Sequence, residues 1–217
     1  MIDHIIMFVE ADGLEIGRMA SLGLVETYRR NHHGQGTQNV CYCFDNLFLE
    51  LLWVNDGDAA RSQVIKRARI YERSLWRTNG ACPFGIAWRR SFDGPAFTIP
   101  TWEFTPPYLP MGLSIPVATE SDDPRQPLMF ESPGGTPPVE WPMERRGSLQ
   151  QDAGLGAVTE IRLTMPVDVP PSEALRVIAR AGEPRVRVDA GREYRVQLRV
   201  ASLVDKPDLE INLPLPA

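Results

Sequence analysis

Apolar residues arrive in short runs separated by turn-forming residues, and the runs repeat in a recognisable order. Residues 2–9 (IDHIIMFV) read as a buried strand. A helix follows, with Asp12 as its N-cap and Gly23 as its stop. Residues 24–30 read as a strand and end in the polar stretch HHGQGTQN at 32–39. Residues 39–44 and 47–54 alternate as two strands around an Asp45-Asn46 turn. The first unit is therefore βαβββ. Residues 60–78 have helical spacing, with Val64, Ala68, Tyr71 and Leu75 on one face and basic residues elsewhere. Between 83 and 131, FGIAWRR, FTIPTWEF, GLSIPVA and PLMFES read as four strands with no helix after the first, a degenerate unit of the same kind. Residues 132–156 are linker by composition, rich in Pro and Gly.

The C-terminal stretch repeats the first pattern. VTEIRLTMPVD at 158–168 lines up with IDHIIMFVEAD at 2–12, placing Glu160 on His4 and Asp168 on Asp12. A helix opens at Ser172 behind two prolines and stops at Gly182, and VRV, YRVQLRV and LEINL follow as strands. Glu210 then falls on Glu50. The expected organisation is a βαβββ module over 1–58, a helix and degenerate module over 59–131, a linker over 132–156 and a βαβββ-like module over 157–217, all in one compact domain.

Composition narrows the function classes. The chain has 217 residues, 43% hydrophobic and 24% charged, with a net charge of −5. An acidic balance argues against nucleic acid as partner. Cys41, Cys43 and Cys82 make no disulfide framework, and Cys41 and Cys43, two apart on one strand, share a face without being placed to bond each other. With no long apolar run and no leader-like start, the expectation is a cytoplasmic protein without a membrane partner. The 20 prolines favour short strands and irregular loops.

Three features carry a resemblance: the opening strand with Asp3-His4 and its helix ending Leu22-Gly23-Leu24; the loop with His32, Gly34, Gly36-Thr37 and Asn39; and the strand Leu49-Glu50-Leu51. In this order and spacing they resemble a glyoxalase-like domain of the vicinal oxygen chelate superfamily. The resemblance implies an α+β fold in which repeated βαβββ modules form a cup-shaped mixed sheet around a cleft. It also implies that a divalent metal (Mn, Fe, Ni, Zn or Mg) is held by first and fourth strands, that the ligand is a small molecule, and that a homodimer is a natural assembly. His4 and Glu50 match the metal positions of the first module, and Glu131 and Glu210 are the candidates to complete the shell. Trp88 or Ala87 stands where the middle module would need a further ligand.

The same residues also suit plainer roles. A lone strand histidine is more often hydrogen-bonded than ligating, and a carboxylate inside FLELLWV must be paired, metal-bound or turned to water. Glu50 and His32 are the candidates to move protons, with His33 pointing away. Asn39, Trp88 and Trp102 are the candidates to contact ligand, although Thr37 and Asn39 also suit a purely local role and the tryptophans suit a core. Two functions follow: a metal-dependent lyase, isomerase or dioxygenase on a small oxygen-bearing molecule, or a metal-free protein that binds or sequesters a small molecule. Convergent ligands would favour the first; a His4 bonded to Glu50 in an apolar cleft would favour the second.

Overall fold

The computed structural model describes residues 1–11, 13–89 and 98–214. Its elements in chain order are β1 (Ile2–Phe8), α1 (Leu14–Ser21), β2 (Tyr28–His32), β3 (Thr37–Cys43), β4 (Phe48–Val54), α2 (Gly57–Ala60), α3 (Ile70–Ser74) and α4 (Trp76–Asn79). Then follow β5 (Phe84–Trp88), β6 (Thr101–Phe104), β7 (Ile115–Ala118), β8 (Leu128–Glu131), α5 (Met143–Arg146), β9 (Leu155–Pro166), α6 (Glu173–Ala181), β10 (Arg185–Gly191), β11 (Arg195–Ser202) and β12 (Leu209–Leu213). The expected N-cap Asp12 lies outside the described residues.

Eight strands form one sheet in the order β2-β3-β4-β1-β5-β8-β7-β6. Each half has the same plan. In the first half β1 runs parallel to β4, and in the second β5 runs parallel to β8. The halves join where β1 meets β5 antiparallel, His4 opposite Ala87 and Ile6 opposite Gly85. This seam is tight. A side chain at Gly85 would meet Ile6 Cβ at 3.2 Å and the Leu128 carbonyl at 3.0 Å. The middle segment is thus the partner module of the N-terminal one, and among the described residues between β5 and β6 there is no helix.

β1 is buried on both faces, which explains its apolar run Ile5–Phe8. Ile5, Met7 and Val9 face a core shared with Met19 of α1, with Leu175 and Ile178 of α6, and with Ile161, Leu163 and Leu198 of the second sheet. Ile6 and Phe8 face the other way, with Leu52, Ile65, Ile70 and Val117. Ser172 caps α6, accepting from Leu175 N–H at 3.3 Å. Gly23 ends α1 at φ +80°.

Two expectations change. The C-terminal segment has the βαβββ element order, but its sheet runs β10-β9-β11-β12, so its first and last strands are not neighbours. The alignment matched hydrophobic alternation, which does not specify which strands pair. Residues 60–78 also do not form one helix. Arg69 adopts φ 56° and breaks it, and the buried side is Ile65, Ala68, Ile70 and Arg73, leaving Val64 and Leu75 exposed. The break lets the Arg73 guanidinium enter the interior, where it donates to the carbonyls of Ser121, Asp123, Pro124, Gln126 and Cys82. A guanidinium can be buried only with such partners. No helix among the described residues is long and apolar enough to cross a membrane.

Candidate functional site

One face of the eight-stranded sheet holds a cleft of about 240 Å³. Strand alternation decides what lines it. β4 contributes Phe48, Glu50 and Leu52, β1 contributes His4 and Ile6, and β3 and β2 contribute Asn39, Arg30 and His32. From the second half come Leu128 and Phe130 of β8, Ile115 and Val117 of β7, and Phe104 of β6. The polar groups therefore stand on the first half and the apolar wall on the second.

The polar groups form one chain of close contacts. Asp3 Oδ2 lies 2.7 Å from His4 Nδ1. His4 Nε2 faces Glu50 Oε2 at 3.5 Å. Glu50 Oε1 accepts from Asn39 Nδ2 at 2.6 Å, and Asn39 Oδ1 accepts from Arg30 N–H at 2.9 Å. Behind this chain, Arg89 Nη1 lies 3.3 Å from Asp3 Oδ1. Burial alone would raise the Asp3 carboxyl, but the His4 hydrogen bond and the His4 and Arg89 charges hold it below the usual carboxylate range. The His4 ring is clamped, stacked on Phe48 at 4.3 Å and edge-on to Phe130 at 5.4 Å.

The loop HHGQGTQN is the tip of the β2–β3 hairpin, with His32 opposite Thr37. Its two glycines have separate reasons. Gly34, at φ +77°, lets Pro107 pack against the turn, since a Cβ there would lie 2.8 Å from the Pro107 ring. Gly36, at φ +78°, lets Asp56 O approach to 2.2 Å of where a Cβ would sit. His32 is buried and His33 exposed. Gln35 Nε2 donates to Thr37 Oγ1 at 2.8 Å, and Thr37 Oγ1 lies 2.9 Å from His32 Nδ1. If the threonine O–H donates to Nδ1, the His32 proton sits on Nε2. Burial holds the His32 ring below the ordinary histidine range and so favours its neutral form. Tyr108 packs against this ring at a tilt of 39°, with the centroids 4.8 Å apart.

The segment between the sheets closes one side of the cleft. Ser132 through Thr136, Trp141 and Arg145 all line it. Trp141 packs on Phe48 at 5.9 Å and on Tyr28 at 6.3 Å, with the Arg145 guanidinium 3.6 Å above the indole. Sequence reasoning read this stretch as linker. The signal that could have raised it was an aromatic residue inside a Pro/Gly-rich run.

The structure brings together His4, Glu50, His32 and Asn39. It does not bring the other candidates to them. Glu131 is opposite Trp88 in the β5–β8 register, one residue past the cleft-facing Phe130, so both point to the other face. Trp88 belongs to the core there. Trp102 packs on Phe104 and under Arg67, outside the cleft lining. Glu210 is on β12 of the second sheet, bonded to Arg199 at 3.2 Å and Gln197 at 3.0 Å. Glu160 pairs with Arg162 and Arg187. Asp3 and Gln35 were missed as members. Cys41 and Cys43 are free and buried among Phe48, Trp141 and Leu149.

The residues do not fit the four-donor metal shell expected from the first and fourth strands. The first half offers His4 and Glu50, whereas the facing positions of the second are Gly85, Ala87, Leu128 and Phe130. Among the described residues no group of three or more His, Cys, Asp and Glu is placed to hold a metal ion, and structural and catalytic zinc sites use at least three protein ligands.

Comparison with known proteins places this geometry. Residues 2–90 match the family model described as a glyoxalase-like domain, so the resemblance carried by Asp3-His4, the 32–39 loop and Glu50 holds. A solved structure titled "Crystal Structure of a hypothetical protein from Staphylococcus aureus" superposes with a TM-score of 0.50 at 13% identity, covering 89% of this chain and 87% of that one. At that identity the likeness shows the fold alone. No curated protein matches the chain.

Proposed function

We propose that this glyoxalase-like protein binds a small, largely apolar molecule without a metal ion. The observation that carries the reading is the mutual engagement of the two would-be ligands, His4 Nε2 and Glu50 Oε2 at 3.5 Å, opposite a wall of Leu128, Phe130, Val117 and Ile115. Such a cleft, mostly apolar with a few convergent polar groups, is what a small-molecule site requires. Burying an apolar molecule there gains about 25 cal/mol per Å² removed from water.

The test is methyl NMR of isoleucine and leucine residues during titration with butylbenzene in the presence of EDTA. Saturable shifts at Ile6, Ile70, Ile115 and Leu128, unchanged by EDTA or by added Zn²⁺, are expected. Binding that appears only with a divalent ion would sink the proposal and restore the metal-dependent lyase, isomerase or dioxygenase.

A second reading rests on the 2.7 Å Asp3–His4 bond. A carboxylate that fixes one imidazole nitrogen leaves the other aimed at the cleft, where it can take a proton from a bound molecule. Turnover lost in both His4→Gln and Asp3→Asn, with ligand affinity kept, would favour that reading over simple sequestration.

A further inference from the structure

The inner end of the cleft reads the polar group of whatever binds, an inference that rests on the small-molecule proposal above. Gln35 lines the cleft, and its Oε1 is buried with no hydrogen-bond partner. Gln35 as a residue is 4% exposed, and its amide nitrogen is already committed to Thr37. A buried acceptor left unpaired costs free energy that a ligand donor can recover. Glu50 lines the same cleft, and an ionised carboxylate accepts hydrogen bonds but donates none. With the Thr37 O–H donating to His32 Nδ1, the bond chain from Gln35 through Thr37 to His32 supplies a complementary donor, the His32 Nε2–H.

The acceptors at this end are Gln35 Oε1 and Glu50, while the Asp3 carboxylate behind His4 is balanced by Arg89 at 3.3 Å. We infer that the cleft takes a neutral apolar molecule bearing a hydroxyl or primary amide, seated between Gln35, His32 and Glu50, and that it rejects the matching carboxylate. A hydroxyl or amide can donate to Gln35 or Glu50 while accepting from His32. A carboxylate can only accept, and it would meet Glu50 at close range in a partly desolvated site. The cationic side chains that line the cleft, Arg30 and Arg145, are both exposed and stand at its mouth. They could hold an anion only if the molecule entered the other way round.

Calorimetric titration with 4-propylphenol, 4-propylbenzamide, 4-propylbenzoate and butylbenzene at pH 7.5 tests this. The phenol and the amide are expected to bind at least about tenfold more tightly than the benzoate, the scale of one unpaired buried polar group. Gln35→Met is expected to cost the phenol about tenfold and leave butylbenzene unchanged. Glu50→Gln is expected to narrow the gap between phenol and benzoate. Benzoate binding as tightly as the phenol would overturn the inference, as would a Gln35→Met variant that weakens all four compounds equally. Binding of all four compounds without discrimination would leave the small-molecule cleft standing. If none bound, butylbenzene included, the cleft reading itself would fall.

Discussion

In the first half of the large sheet, β1 and β4 run parallel and turn His4, Ile6, Phe48, Glu50 and Leu52 to the cleft. In the second half, β5 and β8 run parallel in the same way and set Gly85, Ala87, Leu128 and Phe130 at the matching positions. The backbone plan is repeated and the chemistry is not. A two-fold repeat can assemble a metal shell only if both halves contribute donors. Here one half kept polar groups and satisfied them internally, through Asp3, Asn39 and Arg89. The other became a wall. The seam offers a physical reason at one position, because a Cβ at Gly85 would crowd the Leu128 carbonyl at 3.0 Å and Ile6 Cβ at 3.2 Å.

Three changes would break or sharpen this contrast. The largest effect is expected for Gly36→Ala. Its positive φ and the 2.2 Å approach of Asp56 O leave no room for a Cβ, and the variant should lose about 3 kcal/mol or more in chemical denaturation. Stability within about 0.5 kcal/mol of the parent would mean that the hairpin tip is not what holds His32 and Gln35 in place.

Phe130→His would give the apolar half a donor. Phe130 already stands 5.4 Å from the His4 ring, so the variant should bring a third ligand to His4 and Glu50, at a cost of about 2 kcal/mol in packing. It should acquire Co²⁺ absorption bands that the parent lacks. A variant that folds but takes up no Co²⁺ would show that the missing donor is not what separates this cleft from a metal site.

The smallest effect is one of pH. His32 is held neutral by burial, below its unfolded value of 6.5. The unfolded chain therefore binds the proton first as pH falls. The stability that neutral His32 contributes is complete above about pH 6.5 and declines from there down to its folded pKa. His32→Gln should flatten the fall in melting temperature between pH 7 and 5, leaving the loss below pH 4, where Asp3 takes up its proton. An unchanged slope would show that His32 does not carry that pH dependence.

Much of the polar half was legible in the sequence because its signals are local. A carboxylate within FLELLWV, a histidine on a buried strand and a glycine-spaced loop each conflict with their surroundings unless a site explains them. The βαβββ order of both ends was legible for the same reason. Glu131 and Glu210 were misplaced because face and strand neighbour depend on register and pairing, and a one-residue offset sends a side chain through the sheet. The broken helix at Arg69 followed from a buried guanidinium whose partners lie some fifty residues away, a contact that periodicity cannot encode.

The segment that carries Trp141 is covalently the bridge to the second sheet and physically a side of the cleft. It is anchored beyond the cleft as well, since Gln150 bonds Val25 through both N–H and C=O, and Asn46 does the same to Val158. A pocket built this way is not the private property of one module. Occupancy should raise the unfolding temperature of the C-terminal sheet along with that of the cleft strands, so the chain melts as a single cooperative unit whose ligand is one of its fasteners.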